Sequence, residues 1–334
     1  MQTIKDLKAT IEHLTAESNQ VFIVAHNKAD FDAIASSVAM SLIIKILEKP
    51  VYIILEEDNQ TIEPGVKKMI DEISDTVAII DMNKYNRIKS DNDLLICLDV
   101  NKSYKVCCKD NLKEFKNILI IDHHHEDENT ITTEYKYIKP DKVSSASEVL
   151  TDLLCIYKLK YNPAVANLLL AGIYVDTNRL TKKNSSMSTI AAVSKLLARG
   201  GDIQQALKYF VEDFNSDNKV NSLVGKAQFM NYRIGISVAD ETERYRTEEL
   251  SKVADTLLRY DADATFAAGY IDDEVVAIKA RSNGTIDVGN VMRELGGGGN
   301  TYSAATEVIN ENIIETTNKL VIILKPSFYK DEKN

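Results

Sequence analysis

The chain has 334 residues, of which 44% are hydrophobic, so it is long enough to form about two domains with buried cores. Asp and Glu (50) outnumber Lys and Arg (40), which gives a net charge of −10 at pH 7. This charge argues against a broad electrostatic interaction with duplex nucleic acid. The net charge is still compatible with a small anionic ligand that is bound by a few nearby groups.

No apolar run approaches the ~18–20 residues of a membrane span, and the N-terminus has no basic segment followed by an apolar core. We therefore expect no membrane contact and no secretion signal in this sequence. The four cysteines include no CxxC pair, which is typical of reduced thiols in a cytoplasmic protein. They are Cys97, Cys107, Cys108 and Cys155.

The first half of the chain alternates β-rich runs with helical patterns, which indicates an α/β domain with a parallel sheet. Five strands are predicted, at Val21–Ala25, Val51–Leu55, Val77–Ile80, Leu94–Leu98 and Ile118–Ile121. Helices are predicted at residues 32–47, 145–157, 164–175 and 189–198. Ser145 and Glu148 form a capping-box pattern that predicts the start of the second of these helices.

The pattern changes after residue 212. Residues 213–229 are polar and weakly patterned, which predicts a linker between a domain at 1–212 and a smaller α+β domain at 230–328. Strands of this second domain are predicted at Arg233–Val238, Ala264–Ile271 and Val275–Ala280. Four glycines at Gly296–Gly299 precede a tail that we expect to be mostly helical.

Three predicted strands end directly at residue types that bind metal ions. His26 follows the first strand, Asp99 the fourth, and Asp122, His123 and His124 the fifth. Because ligand sites of open parallel sheets lie beyond the carboxyl ends of the strands, we expect these side chains to meet in one crevice.

Three further carboxylates point to the same crevice. Asp30 and Asp32 lie in the loop after the first strand, where they can serve two adjacent metal ions. Asp176 ends the apolar helical run Leu168–Val175, where an unpaired carboxylate near the negative end of the helix dipole is unfavourable. A bound cation would offset that cost.

Singly, each of these residues is more often a turn, cap or packing residue than a ligand. Together, the carboxylates gathered beside these imidazoles would repel one another at one sheet edge unless divalent cations neutralised them. Mixed Asp and His ligands favour manganese over calcium or structural zinc, with magnesium, iron and cobalt as alternatives. Two such ions about 3.5–4 Å apart suit phosphoester hydrolysis.

The residues that carry this chemistry form an ordered series of four segments. They are His26-Asn27-Lys28-Ala29-Asp30-Phe31-Asp32-Ala33, Asp99, Asp122-His123-His124 and Val175-Asp176-Thr177. This series resembles the motifs of the DHH phosphoesterase superfamily.

Two segments of the second domain are similar to the associated DHHA1 domain, which implies a mixed sheet there. They are Ala280-Arg281-Ser282 and Leu295-Gly296-Gly297-Gly298-Gly299. Finer features resemble the cyclic-di-AMP phosphodiesterases of the GdpP type, of which the chain matches the catalytic unit alone. These features are Tyr137–Pro140 ahead of Ser144–Glu148, and Ser303–Thr306.

The resemblance implies two manganese ions that share Asp99. One ion would be held by His26, Asp30 and Asp99, and the other by Asp32, Asp99, His123 and Asp176. Catalytic roles are implied for Asp99, for Asp122, which would orient a histidine, and for His124, which would face the scissile phosphate.

The resemblance also implies that the second domain closes over a nucleotide. The implied substrate-binding residues are Ser145, Arg281, Ser282, Gly297, Gly298, Gly299 and Asn300. Consecutive glycines let backbone N–H groups approach a phosphate, and we expect a helix after them to present its positive end. Asn300 stands where the family usually has histidine, and it can cap a helix but carries no positive charge.

The leading hypothesis is a manganese-dependent hydrolase that opens cyclic di-AMP to linear pApA. A nanoRNase or pAp phosphatase acting on short linear oligonucleotides is the alternative, and a catalytically weak cyclic-dinucleotide sensor is a third hypothesis that Asn300 favours. A homodimer is the one macromolecular partnership we consider. The expected setting is the cytoplasm, either as a free protein or as the cytoplasmic portion of a larger membrane-anchored protein.

Overall fold

The computed structural model describes residues 3–55, 64–139, 142–182, 184–210, 214–231 and 233–325. The chain forms two compact units, Met1–Val211 and Glu212–Asn334. The predicted domain ends at residues 1, 212, 213 and 328, and the motif residue Pro140, lie outside the described residues. Every helix among the described residues is too short or too polar to cross a bilayer.

In the described part of the first unit, six parallel strands form one sheet in the order β3-β2-β1-β4-β5-β6. They are β1 (Val21–Val24), β2 (Val51–Ile54), β3 (Ile79–Ile80), β4 (Leu94–Leu98), β5 (Asn117–Asp122) and β6 (Tyr135–Ile138). The predicted α/β class is confirmed, but the predicted count of five strands is one short. The edge strand β6 is half-exposed and contains Lys136, so it lacks the buried apolar run that marks the other strands.

The chain order of this sheet reverses between β1 and β4. The chain moves from β1 outward through β2 and β3, and then returns to β4 on the other side of β1. Val24 pairs with Cys97 of β4, and Cys97 pairs with Ile120 of β5. This register brings the residues that follow β1, β4 and β5 to one end of the sheet, at the point where such folds bind ligands.

Side chains of the strands alternate between two apolar layers. Val21 and Ile23 of β1 face one core, and Phe22 and Val24 face the other. A sheet covered on both faces explains why these strands are apolar at every position. Burying each such side chain contributes about 1.5–3 kcal/mol to folding.

Eight α-helices surround this sheet among the described residues. They are α1 (Ile4–Glu17), α2 (Phe31–Ile46), α3 (Pro64–Ile73), α4 (Met82–Ile88), α5 (Ala146–Ile156), α6 (Pro163–Thr177), α7 (Met187–Leu197) and α8 (Ile203–Leu207). Helix α2 is buried on nearly every side because it packs against α5 and α6 as well as the sheet. Its buried Ser36, Ser37 and Ser41 donate to carbonyls of the same helix, so their hydroxyl groups are satisfied.

The described part of the second unit contains a mixed sheet in the order β11-β12-β10-β9-β8-β7, as the resemblance implies. Its strands are β7 (Gln228–Met230), β8 (Ile234–Val238), β9 (Ala264–Asp272), β10 (Val275–Ser282), β11 (Gly298–Gly299) and β12 (Ser303–Ile309). Its helices are α9 (Phe214–Gly225), α10 (Thr247–Leu258), α11 (Val288–Glu294) and α12 (Ile313–Leu324). The segment predicted as a linker therefore contains α9 and β7. Only Val220 and Leu223 are buried apolar side chains of α9, which explains its weak sequence pattern.

The last two glycines of the run form the first strand of a β-hairpin, so the prediction that a helix follows the run is wrong. Gly296, at φ 80°, comes after α11, and Gly298–Gly299 pair with β12. A Cβ at Gly297 would lie 2.2 Å from the Ala305 carbonyl oxygen, so only glycine permits this close approach. Asn300 forms the hairpin turn rather than a helix cap, because its Oδ1 accepts hydrogen bonds from the Tyr302 and Ser303 amides.

The second unit contains a buried carboxylate whose ionisation depends on one arginine. Asp263 accepts hydrogen bonds from the half-exposed Arg233 guanidinium, which lowers the pKa of Asp263. This stabilisation is present above the unfolded pKa of about 3.9 and is lost as the pH falls through the lower folded value.

We expect Asp263→Asn to lower the free energy of unfolding by about 1 kcal/mol at pH 7, since Arg233 is partly solvated. Urea unfolding at pH 7 and pH 3 checks this, and an equal loss at both values would contradict it.

Candidate metal centre

The carboxyl end of the first unit's sheet gathers carboxylates and imidazoles from five elements. His26 follows β1, Asp99 follows β4, and Asp122, His123 and His124 lie at the end of β5. Asp30 and Asp32 lie at the start of α2, and Asp176 lies in the last turn of α6. The residues predicted as ligands therefore come together.

Within the described residues, these side chains form three overlapping groups whose potential ligand atoms lie within 4.8 Å of one another. The groups are His26, Asp30 and Asp99; Asp32, Asp99, His123 and Asp176; and Asp99, Asp122, His123 and His124. Asp99 belongs to all three. The first two groups are the two ligand sets that the sequence motifs imply.

His26 directs one ring nitrogen at the carboxylates. Its Nε2 lies 3.5 Å from an oxygen of Asp99 and 3.7 Å from one of Asp30. Its Nδ1 lies 2.9 Å from the Asn27 carbonyl oxygen, so Nδ1 carries a proton and donates to that oxygen. When the ring is neutral, this leaves the Nε2 lone pair available to a cation.

His123 supplies the corresponding nitrogen for the second group. Its Nε2 lies 3.1 Å from an oxygen of Asp99 and 3.3 Å from one of Asp176. In the described part of the chain, none of these three buried atoms has a hydrogen bond of good geometry. Buried polar atoms without partners are unfavourable, so converging donor atoms of this kind fit a divalent cation.

Asp32 is completely buried, and the N-terminus of α5 fixes its orientation. Its two carboxylate oxygens accept from the Ala146 amide at 2.7 Å and the Ser147 amide at 2.8 Å. Burial, followed by the charges of Asp99 and Asp176, raises the pKa of Asp32. A cation in the second group would therefore favour the ionised form of this carboxyl.

Backbone geometry positions the two carboxylates of the first group. Asp30 is the N-cap of α2 and accepts from the Asp32 and Ala33 amides at 2.9 and 3.0 Å. Asp99 has φ 56°, a left-handed conformation that costs energy for a residue other than glycine. Its amide donates to the Ile121 carbonyl, which ties the strained residue to β5.

Asp122 contacts the neighbouring histidine. Its Oδ1 accepts from the His123 and His124 amides at 2.7 and 3.1 Å, and lies 2.8 Å from Nδ1 of His124. The hydrogen bond with Asp122 raises the pKa of His124, whose side chain is 52% exposed. Asp122 therefore lies within hydrogen-bond distance of both the ring and the main chain of His124.

The carboxylates create a strong preference for positive charge. Burial alone lowers the pKa of His26, but Asp30 and Asp99 outweigh it and raise that pKa to about 11. In the same way, Asp176 and Asp99 overcome burial and raise the pKa of His123 to about 11. When no metal ion is bound, protonation of the two imidazoles offsets the negative charge of the carboxylates. A divalent cation would take the place of these protons and supply the same positive charge.

The predicted substrate-binding residues have structural partners in their own units. Arg281 on β10 is bonded to Asp255 at 2.8 Å, and Ser282 donates to the Asp263 carbonyl oxygen. Ser145 is fully buried and its hydroxyl caps α5 by accepting from the Glu148 amide, so it offers no surface to a substrate.

Two features of this centre escape sequence reasoning. Gly172 of α6 lets α2 approach, because a Cβ there would lie 2.9 Å from Oδ1 of Asp32. An isolated glycine inside an apolar helix is the one available signal for this contact. The second feature is Asn101, two residues after Asp99, whose amide reaches the His124 carbonyl.

Comparisons with known proteins support this assignment of the fold. Residues 20–173 match the DHH family, N-terminal domain, and residues 231–322 match the DHHA1 domain. The crystal structure of an exopolyphosphatase-related protein from Bacteroides fragilis has a TM-score of 0.76 at 18% identity, and the match covers 97% of this chain and 98% of that one. At that identity the likeness concerns the fold alone.

Curated proteins also show similarity in sequence, and they include a phosphodiesterase and an oligoribonuclease. The cyclic-di-AMP phosphodiesterase PdeA of Listeria monocytogenes is 28% identical over 98% of this chain and 50% of its own length. The bifunctional oligoribonuclease and PAP phosphatase NrnA of Mycoplasma genitalium is 25% identical over 66% of this chain and 70% of its own length. The chain spans about half the length of PdeA. The chain therefore contains a DHH family N-terminal domain followed by a DHHA1 domain.

Proposed function

We propose that the chain is a manganese-dependent phosphodiesterase that opens cyclic di-AMP to linear pApA. The observation that carries this proposal is the pair of carboxylate–imidazole groups that share Asp99. The similarity to PdeA, which extends over 98% of this chain, supports the cyclic dinucleotide as substrate. Mixed Asp and His donors favour manganese among the divalent cations.

The two groups supply the ligands of this proposal. His26, Asp30 and Asp99 would hold one ion, and Asp32, Asp99, His123 and Asp176 the other. When bound, two such ions would activate a water molecule and would stabilise charge on the attacking and leaving oxygens of an in-line displacement.

Residues of the chain orient the phosphodiester and control one proton. Asp122 accepts the Nδ1 hydrogen of His124 and favours the protonated ring, so the exposed ring can donate to a phosphate oxygen. Donation to an oxygen that gains negative charge in the transition state accelerates the displacement.

The second unit offers candidate substrate-binding groups of its own. The guanidinium of Arg281 is partly exposed and a Cβ at Gly298 would meet no atom within 4 Å, so both can approach an anion. Gly297 and Gly299 lie against β12, so in this proposal they position Gly298. Ser282 and Asn300 use their side chains in turns, so in this proposal they shape the binding surface. Ser145 is left out because it is buried.

A second candidate function is hydrolysis of short linear oligonucleotides or pAp, which the similarity to NrnA favours. The two functions differ in substrate rather than in the metal centre. We would incubate purified chain and manganese separately with cyclic di-AMP, pApA and pAp, and separate the products by chromatography. Conversion of cyclic di-AMP to pApA, with slower onward hydrolysis, is expected. Turnover of pApA or pAp alone would assign the second function, and nucleotide binding without turnover would identify a sensor.

Removal of divalent cations is expected to abolish this turnover. Treatment with EDTA followed by desalting removes divalent cations and leaves only carboxylates and protonated imidazoles at the centre. Because the cations would stabilise the negative charge of the transition state, kcat is expected to fall at least about 100-fold. Added manganese is expected to restore it. Turnover that persists in metal-free protein would contradict the metal centre as the site of reaction.

A further inference from the structure

The loop that follows β4 is bonded to the histidine loop that follows β5. Asn101 is only 1% exposed, and its Nδ2 donates to the His124 carbonyl oxygen over 3.1 Å. The Asn101 carbonyl oxygen accepts from the Ile131 amide at 2.8 Å. Asn101 therefore contacts both ends of the segment that carries His124.

His124 lies outside the helices and strands, so its orientation depends on these local bonds. Asp122 accepts hydrogen bonds from Nδ1 and from the main-chain amide of His124. Asn101 donates to the carbonyl oxygen of the same residue. The two anchors together fix the peptide and the imidazole beside Asp99, whose carboxylate lies 3.5 Å from the ring nitrogen.

The buried side-chain amide of Asn101 is only half satisfied by hydrogen bonds, so a contribution to folding stability does not explain it. Its Oδ1 is buried and has no hydrogen-bond partner among the described residues, which is unfavourable for folding. The side-chain atom of Asn101 that forms a hydrogen bond is Nδ2, which donates to the His124 carbonyl oxygen. Buried polar groups that lower stability are expected at functional sites.

We infer that Asn101 is a positioning residue, which fixes the main chain of His124 so that its imidazole meets the phosphodiester. The inference rests on the proposed function. Small displacements of a reacting group are costly, since about 1 Å can lower the rate about 100-fold. Loss of the Asn101 bond is therefore expected to act on kcat rather than on ligand affinity.

Asn101→Leu, which has a similar shape and no donor, provides the test. We expect kcat to fall about 10–100-fold while KM and the number of bound manganese ions stay unchanged. Lys102→Met is the matched control, because Lys102 donates to the next carbonyl, that of His125, at 3.0 Å. His125 belongs to none of the three ligand groups, so the control is expected to keep the kcat of the wild type.

Histidine spectra separate this inference from the proposed function. In ¹⁵N-histidine-labelled protein with magnesium, Asn101→Leu is expected to shift the ring signals of His124 and to leave those of the exposed His13 in place. An inactive wild type would contradict the proposed function alone, and the His124 signals would still decide the role of Asn101. Unchanged signals, or kcat within threefold of the wild type, would overturn the inference. If Asn101→Leu does not fold, Asn101→Asp is measured instead, and failure of both to fold would assign Asn101 to stability and overturn the inference as well.

Discussion

Replacing Asp99 with Asn is expected to lower kcat at least about 1,000-fold, which corresponds to about 4 kcal/mol of transition-state stabilisation. Asp99 contributes to every carboxylate–imidazole group at the sheet edge, and one of its oxygens faces His26 while the other faces His123. An amide has the same shape but no negative charge, so it cannot hold two cations together. Chromatographic product analysis and metal counting are expected to show no turnover and at most one bound ion.

The matched control is Asp93→Asn. Asp93 directly precedes β4, whereas Asp99 directly follows it. Asp93 is also buried, but it accepts from the Ser90 amide and hydroxyl and from Gln20, far from the ligand groups. This variant is expected to lose about 1–3 kcal/mol of stability and to keep its metal ions and turnover. Near-normal turnover in Asp99→Asn, or equal losses in the two variants, would contradict the shared-ligand account.

Gly172→Ala is expected to damage the centre without changing any of its ligands. The added Cβ would lie 2.2 Å from Oγ of Ser147 and 3.0 Å from the Cα of Asp32. Ser147 can rotate, but the α2 backbone cannot move without shifting Asp32. We expect a net loss of about 1–2 kcal/mol from overpacking and a fall in kcat of about 100-fold. Urea unfolding, metal binding and steady-state kinetics measure these effects.

Gly225→Ala provides the comparison for this helix substitution. Gly225 ends α9, and a Cβ there would meet no atom within 4 Å. Alanine is expected to raise stability by up to about 1 kcal/mol, because it restricts the unfolded chain. Activity is expected to stay unchanged. If Gly172→Ala behaves like Gly225→Ala, the close approach of α2 and α6 does not control the position of Asp32.

The ligand groups could be predicted because they depend on local sequence and on one general property of parallel sheets. His26 and Asp99 follow strands that are apolar throughout, Asp122 ends the apolar run Ile118–Ile121, and such strand ends lie together. Asp176 was recognisable because a carboxylate at the end of an apolar helix needs a partner. The capping pattern at Ser145 likewise located the start of α5 to within one residue.

The features that escaped prediction depend on contacts between distant segments. Gly298–Gly299 form a hairpin with β12, which also pairs with β10, and none of these strands indicates its partner in the sequence. Strand β6 is recognisable only from its pairing with β5. Ser145 was assigned to substrate by resemblance, but in the structure α5 uses its hydroxyl as a cap.

We propose that two cations share Asp99 at the carboxyl end of the first unit's sheet. Anomalous diffraction at the manganese edge, from crystals grown with manganese, tests it most directly. We predict two peaks about 3.5–4 Å apart, one beside His26 and Asp30, the other beside Asp32, His123 and Asp176, with Asp99 binding both. A single peak, or two peaks of which only one contacts Asp99, would contradict the account.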